Sequence, residues 1–289
     1  MKVGFVNIFG KPNAGKSTLL NALLGEKLAI ISPKVQTTRH RIKGILTDTN
    51  YQVVLSDTPG IIEPKYKLQE KMMQGVKSAL EDADVALLLV DVKDDWQEND
   101  QLFASLSLAV PCIVVINKLD TVGPKQLEEA RQFFAARQYC RSVLTVSALS
   151  GINKKNFLKP ILELLPEGEP FFEEDQLTDL NTRFFVGELI REKIFQLFEE
   201  EIPYHTTVLV TSYKEQENIT RITADIIVQR ETQKAILIGK GGQMIRQLGI
   251  LSRADIEKFI DGKVYLELFV KVRPKWRDND LFLREYGYF

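Results

Sequence analysis

Residues Gly10-Lys11-Pro12-Asn13-Ala14-Gly15-Lys16-Ser17 follow the pattern G-x-x-x-x-G-K-[ST], the spacing with which a loop wraps its backbone N–H groups around a phosphate. The terminal glycines allow the tight turn, and a helix beginning at the loop adds the positive end of its dipole. In such a loop Lys16 reaches the outer phosphates and Ser17 ligates Mg²⁺, with Gly10, Asn13, Ala14, Gly15 and Thr18 completing the phosphate contacts. Asp57-Thr58-Pro59-Gly60 is the expected companion: Asp57 holds Mg²⁺ through water, and the Gly60 N–H senses the terminal phosphate. Asn117-Lys118-Leu119-Asp120 adds a choice of base. A fixed Asp120 carboxylate accepts from guanine N1–H and N2–H₂, donors that adenine lacks, and a site built this way rejects the wrong base by roughly 10⁴. Asn117 and the stem of Lys118 are expected to flank the ring, and Ser147-Ala148 to offer a small side chain and a backbone N–H to the guanine oxygen.

These groups converge only if the chain places them on one edge of a sheet. Apolar, β-branched runs at 3–9, 85–90, 113–116 and 142–146 are each followed by turn residues and a helical pattern, the rhythm of a parallel α/β sheet. Runs at 42–47 and 51–56, separated by Asp48-Thr49-Asn50, read as a hairpin that adds an antiparallel edge. The expected fold of residues 1–166 is thus a doubly wound, mixed sheet with its ligand at the carboxyl ends of the strands. The stretch LPEGEPFFEEDQLTD, rich in Pro, Gly and acids, reads as a linker, assigned to 167–180.

Residues 181–289 change rhythm to α+β: a helix at 181–200, strands at 206–213 and 219–228, two helices around a glycine turn, and a strand at 263–272. The turn is Gly239-Lys240-Gly241-Gly242, a G-x-x-G between aliphatic flanks, which is the signature of KH domains. Glycine there lets a sugar-phosphate chain approach, and the next helix presents its first N–H groups to phosphate. Arg230, Lys234, Lys240, Arg246 and Arg253 surround the turn, and Glu231 is the only acid from 230 to 254, so one surface is basic. Gly239, Lys240, Gly241, Gly242, Arg230, Lys234 and Arg246 are the candidate RNA contacts. The tail Lys271-Val272-Arg273-Pro274-Lys275-Trp276-Arg277 either stacks on bases through Trp276 or ends a strand with that indole in the core. The apolar stripe at 189–198 reads as a core-facing helix.

Composition narrows the rest. The chain has 289 residues, 44% hydrophobic and 27% charged, with net charge −1, enough for two cores and uninformative about partners. Cys112 and Cys140 lie outside any C-x-x-C pair, which excludes a disulfide scaffold and a zinc site and leaves two buried thiols. His40 and His205 are isolated. No run of eighteen apolar residues occurs, and the N-terminus opens on a strand pattern without a leader, so a cytoplasmic, soluble protein is expected.

The nucleotide stations, with Thr37-Thr38 in the loop before the hairpin, resemble the translation-factor-related GTPases. Thr38 is the candidate switch threonine on Mg²⁺, with Thr37 as the alternative; Lys16, Thr38 and Gly60 are the candidate catalytic group. Together with QTTRHRI and a C-terminal type II KH domain, they resemble the Era family of ribosome-assembly GTPases over essentially the whole chain. That resemblance implies GTP and GDP as ligands, Mg²⁺ as cofactor, a monomer, and binding to the 3′ end of 16S ribosomal RNA and to the immature 30S subunit. Peripheral contact with the inner face of the cell membrane has been attached to the family, and no amphipathic anchor is evident here. Ras-like GTPases orient the attacking water with a glutamine after D-x-x-G; Ile61 and Ile62 stand here, so slow intrinsic turnover is expected. Some relatives with this substitution use K⁺ and an asparagine at the position of Asn13, which here either serves K⁺ or braces the loop.

Overall fold

Six strands carry the apolar runs of the first half: β1 (Lys2–Phe9), β2 (Ile42–Asp48), β3 (Tyr51–Asp57), β4 (Val85–Asp91), β5 (Cys112–Asn117) and β6 (Cys140–Thr145). They pair in the order β2-β3-β1-β4-β5-β6, parallel throughout except for β2, which turns back on β3 with Asp48 opposite Tyr51. Helices α1 (Lys16–Leu24), α2 (Lys67–Glu81), α3 (Trp96–Ser105), α4 (Pro124–Ala135) and α5 (Lys154–Leu164) supply the crossovers. Every residue of β5 and all but the last of β4 are buried, because a parallel sheet covered by helices on both faces leaves no polar alternation. Parallel strands also bring the P-loop, Asp57, Asn117 and Ser147 to one edge.

The computed structural model describes residues 1–288, and the chain divides into two units, one of Met1–Glu63 and Met72–Asp179, the other of Pro64–Lys71 and the residues from Leu180 onward.

The stretch 167–180, read as a linker, is instead a strap packed into the first unit as far as Asp179. The fully buried Gln52 of β3 accepts from Phe171 N (2.7 Å) and Phe172 N (3.0 Å) and donates to Phe172 O (2.9 Å). Phe171 stacks on Phe5 at 5.1 Å. Further on, Ile45 N of β2 donates to Leu177 O (2.8 Å), Thr178 Oγ1 to Lys43 O (2.7 Å), and Lys43 pairs with Asp179 (2.9 Å). The strap thus satisfies the free backbone of an edge strand, which would otherwise be open to pairing. Composition suggested a loose segment, but the partner that orders it is a glutamine more than a hundred residues away.

The second unit holds α6 (Thr182–Leu197), a turn of helix α7 (Ile202–His205), strands β7 (Thr207–Gln216), β8 (Ile219–Val228) and β9 (Val264–Val272), helices α8 (Glu231–Ile238) and α9 (Gln243–Phe259), and a C-terminal turn α10 (Asp280–Glu285). The sheet order is β7-β8-β9, with β7 antiparallel and β9 parallel to β8, the type II KH arrangement. Ile190, Ile194, Ile222, Ile226, Leu237, Leu248 and Ile256 form its core. Trp276 is fully buried and donates from Nε1 to His205 O (3.0 Å), so of its two readings the packed one holds. His205 Nδ1 lies 2.7 Å from Gln233 Nε2, a structural contact. Cys112 and Cys140 are free thiols, the first buried and the second half-buried rather than fully so, and burial pushes both up, Cys112 to about 11. Among the described residues no helix is long and apolar enough to cross a membrane.

Gln52→Ala removes the side chain that makes three hydrogen bonds to the strap's backbone. It is expected to cost about 2 kcal/mol, read as a lowered Tm together with faster amide exchange at Phe171 and Phe172.

Candidate nucleotide site and nucleic-acid groove

Gly15 begins α1 in a left-handed conformation, and no side chain caps the helix, so its first N–H groups are available to an anion. Lys16 Nζ lies across the loop, donating to Lys11 O (2.8 Å) and Gly10 O (3.2 Å). Burial lowers the Lys16 ammonium to about 8, only partly offset by the charge of Asp57. Gly60 abuts the loop: a Cβ there would lie 2.8 Å from Pro12 N, so no other residue lets the D-x-x-G segment come this close.

Three segments distant in sequence meet at one carboxylate. Ser17 Oγ donates to Asp57 Oδ2 (2.6 Å), Thr38 Oγ1 donates to the same oxygen (3.1 Å), and the two hydroxyls are 2.9 Å apart. Thr37 instead turns its hydroxyl to Lys34 O (2.8 Å). Asp57 is fully buried, its Oδ1 is without a partner among the described residues, and burial raises its carboxyl above the usual range against the pull of Lys16, Ser17 and Thr38. An orphaned carboxylate oxygen beside two hydroxyls is a donor set of hard oxygens, which fits Mg²⁺.

A cavity of ≈ 440 Å³ opens above this cluster, lined by Asn13, Gly15, Lys16, Ser17, Thr18, Thr38, Gly60, Asn117, Lys118, Asp120, Ser147 and Ala148 among others. Of the sequence candidates Gly10, Ala14 and Asp57 lie behind that lining. Asn117 both lines the cavity and braces it. Its Nδ2 donates to Ala14 O (2.9 Å) and its Oδ1 accepts from Ala148 N (3.0 Å), so it stitches the P-loop to the next loop. The Ala148 amide, expected to meet the guanine oxygen, is engaged by that same contact. Lys118 takes a left-handed backbone (φ 62°) and its Nζ pairs with Asp91 (2.6 Å), which stretches its stem beside the cavity. Asp120 is exposed at the cavity's rim. Ile30, Ile31 and Leu149 also line it, and sequence reasoning missed them. Leu149, 85% exposed, was legible as the residue directly after Ser147-Ala148, an apolar side chain suited to covering the face of a base.

Asn13 donates from Nδ2 to Pro33 O (2.7 Å), tying the P-loop to the loop that carries Thr38. Ile61 packs beside the core that includes Phe9 and Val90, away from any role in holding water.

In the second unit, Gly239, Gly241 and Gly242 all have positive φ, and a Cβ on Gly239 would lie 2.6 Å from Met244 Cγ. The turn is therefore glycine-dependent and leads directly into α9. Arg230, Lys240 and Arg246 are exposed and Lys234 is partly so. Beside α9 runs a groove lined by Ile245, Arg246, Gly249, Ile250, Arg253, Tyr265, Leu266 and Leu268. The residues contributed by β9 were missed, because only the fold brings that edge strand alongside α9.

Comparisons with known proteins agree with this geometry. A family model described as a 50S ribosome-binding GTPase matches residues 5–118, and a KH domain model matches 201–277. GTPase Era of Geotalea daltonii is 43% identical over 288 residues, covering 99% of this chain and 97% of the relative. GTPase Era of Caldanaerobacter subterraneus is 42% identical over 291 residues, 99% and 98% of the two chains. Among solved structures, Era in complex with MgGDPNP and nucleotides 1506–1542 of 16S ribosomal RNA superposes with a TM-score of 0.95 at 42% identity, covering 100% of this chain and 99% of that one. A variant of Aquifex aeolicus Era bound to GDP·AlF₄⁻ gives the same figures.

Phosphate contact restores the charge that burial disfavours on Lys16, so nucleotide binding takes up a proton once the free protein has lost it. Affinity for a GTP analogue is expected to be flat below pH 8 and to fall about tenfold by pH 9, measured by calorimetry in buffers of matched ionic strength. Asp120→Asn is expected to weaken GTP binding by at least about a hundredfold and to favour xanthosine triphosphate, whose 2-oxo group accepts where guanine donates; competition binding reads both.

Proposed function

The chain belongs to the GTPase Era family, and on that premise we propose that its GTP cycle controls binding to the 3′ end of 16S ribosomal RNA and to the maturing 30S subunit, assisting small-subunit assembly. One observation carries this reading: a relative alike over the whole chain was solved with a Mg²⁺-bound GTP analogue and a 16S fragment together, and both corresponding sites are present here. The family model that mentions the 50S particle covers only part of the nucleotide domain.

The chain is a GTPase. Hydrolysis is in-line attack of water on the γ-phosphorus, and the protein's part is to position the reactants and stabilise charge on the phosphoryl oxygens. Lys16 and the P-loop amides cradle the β- and γ-phosphates, while Gly60 brings its N–H towards the γ-phosphate. Ser17 and Thr38 with Asp57 behind them would hold Mg²⁺, which when bound offsets phosphate charge. With the apolar Ile61 packed against the core, no side chain from this position orients the water, and intrinsic turnover is slow. Loss of the γ-phosphate removes the reason for Thr38 and Gly60 to stay in place, which is how the site acts as a switch.

Asn13 has a second role in this reading. Its Nδ2 is committed to Pro33 O, which leaves its Oδ1 to ligate a K⁺ between the P-loop and the switch segment. The protein acts in the cytoplasm, where the particle is, and as a monomer; a stay on the inner face of the membrane is compatible with this reading but has no part in it.

The GTP-analogue form is expected to bind a short single strand matching the 16S 3′ end more tightly than the GDP form does, with a scrambled strand bound weakly by both. Equal affinities would separate the switch from the RNA. Hydrolysis is expected to be faster in KCl than in NaCl at matched ionic strength, and equal rates would return Asn13 to a bracing role.

A further inference from the structure

The sheet of the second unit has two faces, and among the described residues α8 and α9 cover one of them. Ile222, Ala224, Ile226 and Val228 of β8 and Leu266, Leu268, Val270 and Val272 of β9 point into the core with α8 and α9. Alternation along a strand sends the intervening residues to the other face. Register sets Arg221 opposite Tyr265, Thr223 opposite Glu267, and Asp225 opposite Phe269. One end of this outer face is closed: Thr207 and Ile227 are buried, and Thr207 Oγ1 lies 3.0 Å from Tyr288 OH. The other end is open, with Tyr265 45% and Phe269 51% exposed.

We propose that the open outer face of the β7-β8-β9 sheet is a second RNA surface, on which Tyr265 and Phe269 stack bases of a strand that continues from the groove beside α9. This rests on the RNA-binding reading given above.

Tyr265 and Phe269 are about 13 Å apart along one strand, so each can stack a separate base. The Arg221 guanidinium lies 4.9 Å from the centroid of the Tyr265 ring, a pairing of flat cation and ring that suits both stacking and phosphate contact. Lys214 is exposed and in register with Arg221, which places a further cation at the open end. Glu267 separates the two rings, so the face is not the contiguous apolar patch that a protein partner would cover, whereas single bases stack on isolated rings. The surface also joins the groove: Tyr265 lines it together with Arg246 and Arg253, so a strand leaving the groove crosses β9 onto the outer face. A KH groove holds about four nucleotides, and the RNA in the solved relative runs from 1506 to 1542, several times that length. Most of such an RNA must lie elsewhere.

The test uses the full-length protein loaded with a GTP analogue, and two probes: an RNA of the sequence 1506–1542, and a strand of about four nucleotides from its 3′ end that the groove alone can hold. Phe269→Thr, which keeps a strand-forming residue, is expected to weaken the long RNA about tenfold while changing the short one less than about twofold. Arg221→Gln should act in the same direction. Phe269→Trp should retain long-RNA binding, and the new indole's fluorescence should be quenched by the long RNA and not by the short one; it also serves if the Thr variant folds poorly. The double change Lys240→Asp, Gly241→Asp should abolish binding of the short probe. Indifference of the short probe to that loop change would sink the groove reading itself, separately from the outer face. Unchanged long-RNA affinity in Phe269→Thr, or an indole in Phe269→Trp that the long RNA leaves unquenched, overturns the proposal. So does a change in sedimentation of Phe269→Thr without a change in RNA affinity, which would assign the face to a second copy of the chain.

Discussion

A carboxylate buried with one oxygen unpartnered is costly unless a cation completes it, and Asp57 is held in that condition between the first turn of α1 and the loop that carries Thr38. Ser17 arrives on the first turn of α1, Thr38 on the loop before β2, and Asp57 on the last residue of β3. None of them is near another in sequence, and the parallel sheet is what brings them to one edge. Desolvation disfavours the charge on Asp57 and on Lys16 alike. Burial therefore works against both charges at this point, and Mg²⁺ with a triphosphate would offset the cost for both groups together. A triphosphate and its Mg²⁺ would meet the Thr38 hydroxyl at this cluster, and hydrolysis takes away the γ-phosphate that they share.

The parts of this site that follow a local rule were legible in the sequence. The P-loop, Asp57, Gly60 and Asp120 do their work through backbone shape or a single charge placed after a strand, and both are visible as letters at a fixed spacing. Thr38 could be separated from Thr37 only by seeing which hydroxyl faces Asp57. The bracing by Asn117 was not legible, because its motif announces a guanine site as a whole while the division of labour inside it is three-dimensional: the amide ties two loops together and lines the cavity beside Lys118, Asp120 and the unforeseen Leu149. The strap at 167–179 was misread for a related reason. Its order comes from Gln52 and the unpaired edge of β2, and neither is encoded in the segment's own composition.

In the second unit the glycine turn and its basic surroundings were legible, since positive φ at three residues favours glycine and a Cβ on Gly239 would collide with Met244, and the cations cluster in sequence. The β9 contribution was not, because a strand with alternating residues says that one face is exposed without saying what lies beside it. Trp276 shows the converse: a basic stretch around an indole suggests stacking on nucleic acid, yet the ring is fully buried over His205. The exposed rings of this sheet are Tyr265 and Phe269, on the strand expected at 263–272.

Coupling between a nucleotide and an RNA is reciprocal: whatever factor the nucleotide contributes to RNA affinity, the RNA must return to nucleotide affinity. The most direct measurement is thus the Kd of a GTP analogue and of GDP, each with and without saturating 16S 3′-end RNA. RNA should tighten the analogue and leave GDP nearly unchanged. An RNA that shifts both equally, or neither, would mean that the Ser17, Thr38 and Asp57 cluster and the KH groove operate independently, contradicting the account.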